Sequence, residues 1–210
     1  MTRRLPVAIA LALLTAACAR QEQQADQPPP PDSTPTVVLE TSMGRIVMQF
    51  DRNKAPRAVD NIVRHLGVRF YDGLTFHRVA TGFVIQTGMT TPDHMVRTSS
   101  APSVPIESDN GLRNTRGTVA LARMDAPNTG GVQFYINLKD NPELDFRSRT
   151  PDGWGYTVFG RVTEGMDVVD RIGRVPTGTY MGAREVPLEP IIVQRAYVQR
   201  ADSAAAPPAP

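Results

Sequence analysis

The chain has 210 residues, and its 40% hydrophobic and 21% charged residues are typical of a globular protein with a packed core. Its formal net charge is +2, and two of its arginines, Arg3 and Arg4, lie in a segment that we expect to be cleaved. A chain that is then neutral, with no run of basic residues interleaved with aromatic ones, lacks the charge pattern of nucleic-acid-binding proteins. We therefore exclude nucleic acid as a partner.

The first 17 residues have the pattern of a secretory signal peptide. Arg3 and Arg4 supply a positive start, and an uncharged, mostly apolar run follows from Leu5 to Ala17. A helix needs roughly 20 residues to cross the hydrocarbon core of a membrane, about 30 Å thick, and this run has only 13. A run of this length suits a cleaved signal peptide, so the sequence predicts export from the cytoplasm.

Cys18 is the only cysteine, and with the preceding Leu14-Thr15-Ala16-Ala17 it resembles a bacterial lipobox. In a lipobox the cysteine is acylated and becomes the new N-terminus, so we expect Cys18 to anchor the protein to the periplasmic face of a bacterial membrane, the outer membrane in our interpretation. Thr15 departs from the branched aliphatic residue usual at its position. The alternative is an ordinary signal peptide cut near Ala17 or Ala19. With one cysteine, the chain cannot form an internal disulfide.

Two segments are predicted to be disordered. Residues 18–36 form the predicted linker, in which residues 19–36 are rich in Gln, Asp and Pro and have no apolar side chain larger than Ala, so they cannot bury enough surface to fold. The prolines at 28–31 favour an extended spacer between the anchor and the domain, although such a stretch can also be a ligand for aromatic grooves. Residues 201–210 are predicted to be a disordered tail, which leaves a folded domain at 37–200.

The folded part begins with a predicted β-hairpin, Val37–Thr41 and Arg45–Phe50, around a turn that contains Gly44. A helix is predicted from Pro56, which suits a first turn, to Gly67, with Val59, Ile62, Val63 and Leu66 at helical spacing. Five short β-rich segments are predicted at Leu74–Val79, Phe83–Thr87, Thr118–Arg123, Val132–Leu138 and Tyr156–Val162. The stretch from Gly88 to Arg116 is predicted to be a surface excursion.

A second helix is predicted from Glu164 to Ile172, with Met166, Val169 and Ile172 on one face, and the last strand at Pro190–Gln199. Many short strands with two helices and no alternation of strand and helix predict a β-barrel or a β-sandwich.

The common catalytic motifs are absent from the sequence. The three histidines, His65, His77 and His94, do not have the spacing of metal ligands. There is no phosphate-binding loop, dinucleotide fingerprint or nucleophile elbow, and the only cysteine lies in the signal region. We therefore expect neither a metal nor a cofactor, and no covalent hydrolase chemistry.

Three motifs instead carry polar residues within apolar strands. Residues 76–88 contain F-H-R-V-x-x-G-F-x-x-Q-x-G, residues 110–123 read NGLRNTRGTVALAR, and residues 128–138 read NTGGVQFYINL, followed by Leu144-Asp145 and by YTVFG at 156–160. In this order they resemble the cyclophilins, specifically the periplasmic bacterial type, with matches from Val37 to about Val198. The resemblance implies a mainly β fold, a closed eight-stranded antiparallel β-barrel capped by two α-helices. It also implies peptidyl-prolyl cis-trans isomerase (rotamase) activity.

The chemistry of that reaction has a simple physical requirement. Rotation about an X-Pro amide must break its C–N resonance against a barrier of about 18–20 kcal/mol, and unassisted exchange takes roughly tens to hundreds of seconds. No covalent bond is made or broken, so neither a nucleophile nor a cofactor is needed. The enzyme must bind the twisted amide more tightly than either planar form.

The resemblance assigns the site residues. Arg78 is the expected donor to the prolyl nitrogen, since a guanidinium is permanently charged and carries five N–H groups; alternatively it is a surface arginine in an ion pair. The expected catalytic residues are Arg78, Gln133 and Phe83, and the expected substrate-binding residues are His77, Val84, Gln86, Ala122, Arg123, Tyr135, Leu144 and Tyr156. Phe83, Val84, Tyr135 and Leu144 correspond to the proline pocket, although each could be an ordinary core residue. Gln86 and Gln133 hold substrate carbonyls and orient the arginine.

Some assignments are less direct. Ala122 and Arg123 correspond to positions whose backbone lines the substrate groove. Tyr156 and His77 correspond to the rim of the proline pocket. For His77, a structural role through a hydrogen bond is an equal alternative. Period-2 alternation alone places Gln133, Tyr135 and Asn137 on one face of their strand. Glu143 stands where cyclosporin-sensitive members have Trp, and Trp154 is expected to pack its own loop.

The sequence therefore predicts a monomeric, membrane-tethered isomerase that acts on proline-containing segments of exported proteins and assists their folding. Two alternatives stay open at this point. One is a non-catalytic module that binds proline peptides on the same fold, and the other is a surface adhesin or interaction lipoprotein that keeps the fold and adds a second role.

Overall fold

The computed structural model describes residues 33–199. The predicted signal peptide, Cys18, most of the linker and the C-terminal tail lie outside these residues. Thr36, which the sequence places at the end of the linker, is the first residue of a strand. Between residues 33 and 199, no helix is both long and apolar enough to cross a membrane.

Eight strands form one antiparallel sheet that is strongly curled into a half-barrel. In chain order they are β1 (Thr36–Thr41), β2 (Gly44–Phe50), β3 (Arg78–Ala80), β4 (Val84–Thr87), β5 (Thr118–Leu121), β6 (Phe134–Asn137), β7 (Val158–Glu164) and, after a further hairpin, β10 (Val193–Val198). Across the sheet they run β10-β1-β2-β7-β5-β6-β4-β3. The prediction of a mainly β fold with two helices is confirmed, and closure into a complete barrel stays a prediction.

The first hairpin forms where the sequence predicts it. Thr41 and Gly44 face each other across the turn, and Gly44 has a φ of 131°. A Cβ at Gly44 would lie 2.9 Å from a methyl group of Val168, so this turn needs glycine both for its backbone conformation and for its space.

Two helices pack against the inner face of the sheet. Helix α1 (Pro56–Gly67) begins with its proline in the first turn and buries Val59, Ile62 and Leu66. Helix α2 (Met166–Ile172) begins two residues later than predicted, because Glu164 still belongs to β7 and Gly165 turns the chain with a φ of 84°. Two short 3₁₀ helices lie at Pro127–Thr129 and Pro142–Leu144.

The alternation of β6 separates two apolar clusters. Phe134 and Ile136 point into the main core between the sheet and the helices, whereas Tyr135 belongs to a second cluster on the opposite face, as the period-2 pattern predicts. The second cluster contains Ala80, Val84, Ala120, Tyr135 and Val158, with the partly buried Phe83, Leu112, Ala122, Leu144 and Tyr156 packed against it.

A second hairpin, β8 (Thr177–Tyr180) and β9 (Ala183–Pro187), was not predicted. Most of its residues are exposed or only partly buried, so its sequence has no hydrophobic alternation to indicate strands. The two strands pair with each other in a separate two-stranded sheet, and β9 lies against β3. The hairpin therefore reaches the strand on which Arg78 lies.

Candidate active site

The register of five strands aligns three of the expected site residues, Arg78, Gln86 and Tyr135, in one row. Arg78 on β3 faces Gln86 on β4, and Gln86 faces Tyr135 on β6. Tyr135 in turn faces Ala120 on β5, which faces Val158 on β7. Facing residues on neighbouring strands point to the same side of a sheet, so this row lies on one face, the face opposite the main core. Its polar end contains Arg78 and Gln86, and its apolar end contains Ala120 and Val158.

A chain of hydrogen bonds connects the polar side chains. Arg78 Nη1 donates to Gln86 Oε1 over 3.4 Å, and Gln86 Nε2 donates to Gln133 Oε1 at 2.9 Å. Arg78 Nε donates to Glu185 Oε2 at 2.8 Å, and the Arg78 side chain is 37% exposed. The structure thus brings Arg78, Gln86 and Gln133 together, and it adds Glu185, which sequence reasoning missed.

The apolar end of the row is the second cluster, which contains the residues expected to form the proline pocket. Val84 and Tyr135 are buried in it, while Phe83, Leu144 and Tyr156 are partly exposed. Tyr135 and Tyr156 meet edge to face, with ring centroids 5.8 Å apart. Five of the six residues expected at the proline pocket or its rim are therefore in one cluster, separate from the main core, and only His77 lies outside it.

A buried network of amides supports this pocket from behind, and sequence reasoning did not find it. The Tyr135 hydroxyl donates to Asn114 Oδ1 at 2.9 Å, and Asn114 Nδ2 donates to the Leu144 carbonyl at 3.0 Å. Asn141 Nδ2 donates to the Phe83 carbonyl at 3.2 Å. Burial raises the pKa of Tyr135 well above its ordinary value, so its hydroxyl stays protonated and remains a donor.

Arg123 and Ala122 lie at the edge of the pocket next to Tyr156. The Arg123 guanidinium sits 4.7 Å from the centroid of the Tyr156 ring, and Arg123 Nε donates to the Gly155 carbonyl at 2.8 Å. The Ala122 N–H donates to the Gln133 carbonyl at 2.9 Å. The side chain of Arg123 therefore holds the loop that carries Tyr156, whereas its sequence assignment concerned only its backbone.

Glu143 and Trp154 both lie in the segment between β6 and β7. Glu143 is exposed in the 3₁₀ helix next to Leu144. Trp154 contacts Phe146 with ring centroids 5.6 Å apart, which confirms that it packs within its own loop. Within residues 33–199, no three His, Cys, Asp or Glu side chains are grouped as metal ligands would be.

His77 lies next to Arg78, and its ring interacts with the Gln133 side chain. Burial, and after it the charge of Arg78, lowers the pKa of His77 to about 4 against the smaller opposing effect of Gln133. Its Nδ1 is buried with no hydrogen-bond partner among the described residues. His77 is thus neutral at pH 7, and its contact supports the structural role that the sequence left open.

We predict that His77 makes the protein less stable in mild acid. In the unfolded chain its imidazole binds a proton below its ordinary pKa of 6.5, but in the native protein only below about 4. Between these values the unfolded state binds more protons, so the free energy of unfolding falls as the pH drops, by about 2 kcal/mol from pH 7 to pH 5. Urea unfolding of the wild type and His77→Gln at both pH values measures this. Equal pH dependence in the two proteins would contradict the prediction.

Comparison with known proteins agrees with this geometry. Residues 36–198 match the family model described as cyclophilin type peptidyl-prolyl cis-trans isomerase/CLD. The chain is 48% identical over 163 residues to peptidyl-prolyl cis-trans isomerase cyp18 of Streptomyces antibioticus, covering 78% of this chain and 98% of that protein. It is 41% identical over 162 residues to peptidyl-prolyl cis-trans isomerase B of Escherichia coli strain K12, covering 77% and 98%.

A solved structure shows the same fold. A cyclophilin type peptidyl-prolyl cis-trans isomerase of Cryptosporidium parvum, crystallised in the presence of the dipeptide Ala-Pro, matches with a TM-score of 0.65 and 22% identity over 79% of this chain and 99% of that one. The same protein in another crystal structure matches with a TM-score of 0.65 and 21% identity over 80% and 98%. With the bonded polar residues around Arg78, the apolar cluster beside them and a family match over residues 36–198, the chain belongs to the cyclophilin family of peptidyl-prolyl cis-trans isomerases.

Proposed function

We propose that this cyclophilin accelerates rotation about X-Pro bonds in exported proteins and thereby assists their folding. The observation that carries the proposal is the position of the Arg78 guanidinium, bonded to Gln86 at the polar end of a row whose other end is the apolar cluster expected to hold the proline. A prolyl ring in that pocket would present its nitrogen toward a permanently charged donor.

Arg78 supports catalysis because it acts on the state that must be stabilised. As the amide twists, the lone pair of the prolyl nitrogen localises and becomes an acceptor, which it is not in either planar form. Two of the five N–H groups of Arg78 are used by Glu185 and Gln86, which leaves three for the substrate. An interaction that forms only in the twisted state raises the turnover rate rather than the affinity.

The remaining residues hold the two halves of the peptide. The pyrrolidine ring packs between Phe83, Val84, Tyr135 and Leu144, with Tyr156 at the rim. The Gln133 amide oxygen accepts a hydrogen bond from Gln86. The amide NH2 group of Gln133 can therefore donate to a substrate carbonyl. His77 then acts through Gln133, whose side chain it helps to position.

A module that only binds proline peptides would use the same pocket. It would have no use for a charged donor beside the prolyl nitrogen, and this favours the enzyme. The experiment that separates the two is the isomerisation rate of a short X-Pro peptide, measured by a protease-coupled assay or by NMR exchange. Binding without acceleration would favour the module. For the folding role, the protein should speed the refolding of an exported protein that contains a cis proline.

We also propose that the eight-stranded sheet closes into a barrel and that the protein works as a monomer. Closure is supported by hydrogen bonds between the segments at the two edge strands: the Gly73 N–H donates to the Val193 carbonyl at 2.8 Å, the Val193 N–H to the Leu74 carbonyl at 2.7 Å, and the Phe76 N–H to the Ile191 carbonyl at 2.9 Å. A closed sheet has no free edge to pair with a second copy, which supports the monomer.

Export and anchoring through Cys18 are part of the same proposal, and they rest on the N-terminal sequence pattern. A lipid at Cys18 would tether the domain to the periplasmic face of the outer membrane through the linker 18–36, close to newly exported chains. The proline-rich linker suits a spacer of at most about 3.1 Å per residue.

Acylation of Cys18 is tested by metabolic labelling. Cells given labelled palmitate should label the wild-type protein and not Cys18→Ser, because the thiol of Cys18 is the only one in the chain. The expected difference is complete, and the unlabelled variant should leave the membrane fraction, since acyl chains supply the membrane affinity. Equal labelling of both proteins, or of neither, would contradict the anchor.

A further inference from the structure

The hairpin β8–β9 contains a bulge at Glu185. Gly178 faces Val186 and Tyr180 faces Ala183, so Thr179 alone stands opposite both Arg184 and Glu185. Glu185 has a φ of 62°, in the left-handed region that glycine and asparagine adopt far more readily than glutamate. Bulges near active sites re-aim side chains, and a strained residue persists where its surroundings require it.

The strained backbone directs the Glu185 carboxylate onto Arg78. Glu185 Oε2 accepts from Arg78 Nε at 2.8 Å, with side chains 42% and 37% exposed. An ion pair as exposed as this adds little to stability, so it does not offset the unfavourable backbone of Glu185. The carboxylate of Glu185 is therefore better explained by its effect on the Arg78 side chain than by a contribution to stability.

The hairpin is held against the site by a second contact. Tyr180 on β8 stacks on His94, with ring centroids 3.8 Å apart and planes 18° apart. A cavity of about 620 Å³ is lined both by the hairpin and by Arg78, Gln86 and Gln133. Glu185 thus reaches Arg78 from a supported element and bonds its Nε atom, whereas Gln86 bonds Nη1.

We propose that Glu185 is a positioning residue for Arg78. Its bond to Nε, together with the bond from Nη1 to Gln86, fixes the rotation of the guanidinium plane and directs the remaining Nη donors toward the proline pocket. This rests on the proposed role of Arg78 in the reaction. Small errors in the placement of a catalytic group reduce rates strongly, so Glu185 contributes to turnover without touching the substrate.

Replacing Glu185 with glycine separates this role from a structural one. Glycine relieves the left-handed backbone, so Glu185→Gly should keep or raise the melting temperature. Turnover of a bound X-Pro peptide, measured by NMR exchange, should nevertheless fall on the order of 10-fold while the peptide Kd changes little. Glu185→Gln should keep most of the activity, because its amide oxygen can accept the same bond. Glu189→Ala, which removes an exposed carboxylate beyond β9, should match the wild type.

Two further measurements connect the effect to Arg78. The Arg78 Nε–Hε signal should be sharp and slowly exchanging in the wild type and be lost in Glu185→Gly. In the Arg78→Ala background, Glu185→Gly should cause no further loss, since the two residues act as one unit. Wild-type or faster turnover in Glu185→Gly, or an additive loss in the double variant, would overturn the inference. If Arg78→Ala itself keeps wild-type turnover, the proposed catalytic role of Arg78 is wrong. That result differs from the one that contradicts only the role of Glu185, in which Arg78→Ala loses turnover and Glu185→Gly does not.

Discussion

Arg78→Ala is expected to lower the turnover of an X-Pro peptide by about 100- to 1000-fold, the range seen when one donor to a developing charge is removed. The reason is that, in the proposed mechanism, the guanidinium stabilises the twisted amide and contacts the planar forms only weakly. The loss should therefore appear in turnover, with peptide Kd nearly unchanged. NMR exchange on the bound peptide gives the rate, and titration gives the affinity.

Two variants control for charge and for folding. Arg78→Lys should recover only part of the rate, because an ammonium group lacks the planar fork that also bonds Gln86 and Glu185. Arg64→Ala removes an exposed arginine from α1 and should leave turnover unchanged. A well-folded Arg78→Ala protein with near-normal turnover would exclude Arg78 as the donor and favour a module that only binds proline peptides.

Phe83→Ala is expected to reduce kcat/KM by about 10- to 100-fold, which corresponds to the loss of one large apolar contact. In the proposed mechanism Phe83, in contrast to Arg78, contacts the prolyl ring in every state of the reaction. Its removal should therefore weaken peptide binding along with the rate. The peptide titration and the exchange experiment measure both effects on the same samples.

Phe70→Ala is the matched control for the loss of an aromatic ring. Phe70 is also partly buried, but it packs against the main core beside His65 and Tyr71 rather than in the pocket. It should reduce the free energy of unfolding and leave kcat/KM of the folded protein intact. If Phe83→Ala changed stability alone, as expected for Phe70→Ala, then Phe83 would be a core residue and not part of the proline pocket.

Local pattern was sufficient to predict the elements that bury one face. The alternation of residues in β6 assigned Tyr135 and Phe134 to opposite faces of the sheet, and the spacing of apolar residues located both helices. Both predictions succeed because an element that buries one face repeats its apolar residues with the period of a strand or of a helix. The Gly44 turn was recognisable for the same kind of reason, since few residues tolerate its backbone. The ordered motifs around Arg78, Gln86 and Gln133 then identified the family, and the family resemblance assigned most of the candidate site residues.

The sequence pattern missed what depends on contacts between distant, polar residues. The β8–β9 hairpin has no apolar period, because its strands pair only with each other and stay largely exposed. Asn114 was part of a recognised motif, but that it supports Tyr135 and Leu144 depends on a buried loop conformation. The position of a buried amide side chain depends on its hydrogen-bond partners. The partners of Asn114 lie 21 and 30 residues further along the chain.

The sequence by itself therefore determined the family, a mainly β fold with two helices, and Arg78, Gln86 and Tyr135 as site residues. These follow from periodic burial and from motifs that occur in a recognisable order along the chain. Only the tertiary structure decided how the guanidinium of Arg78 is held. Its partner Glu185 is 107 residues away, on a hairpin without a sequence signal, and it is aimed by a left-handed backbone that no propensity of glutamate predicts.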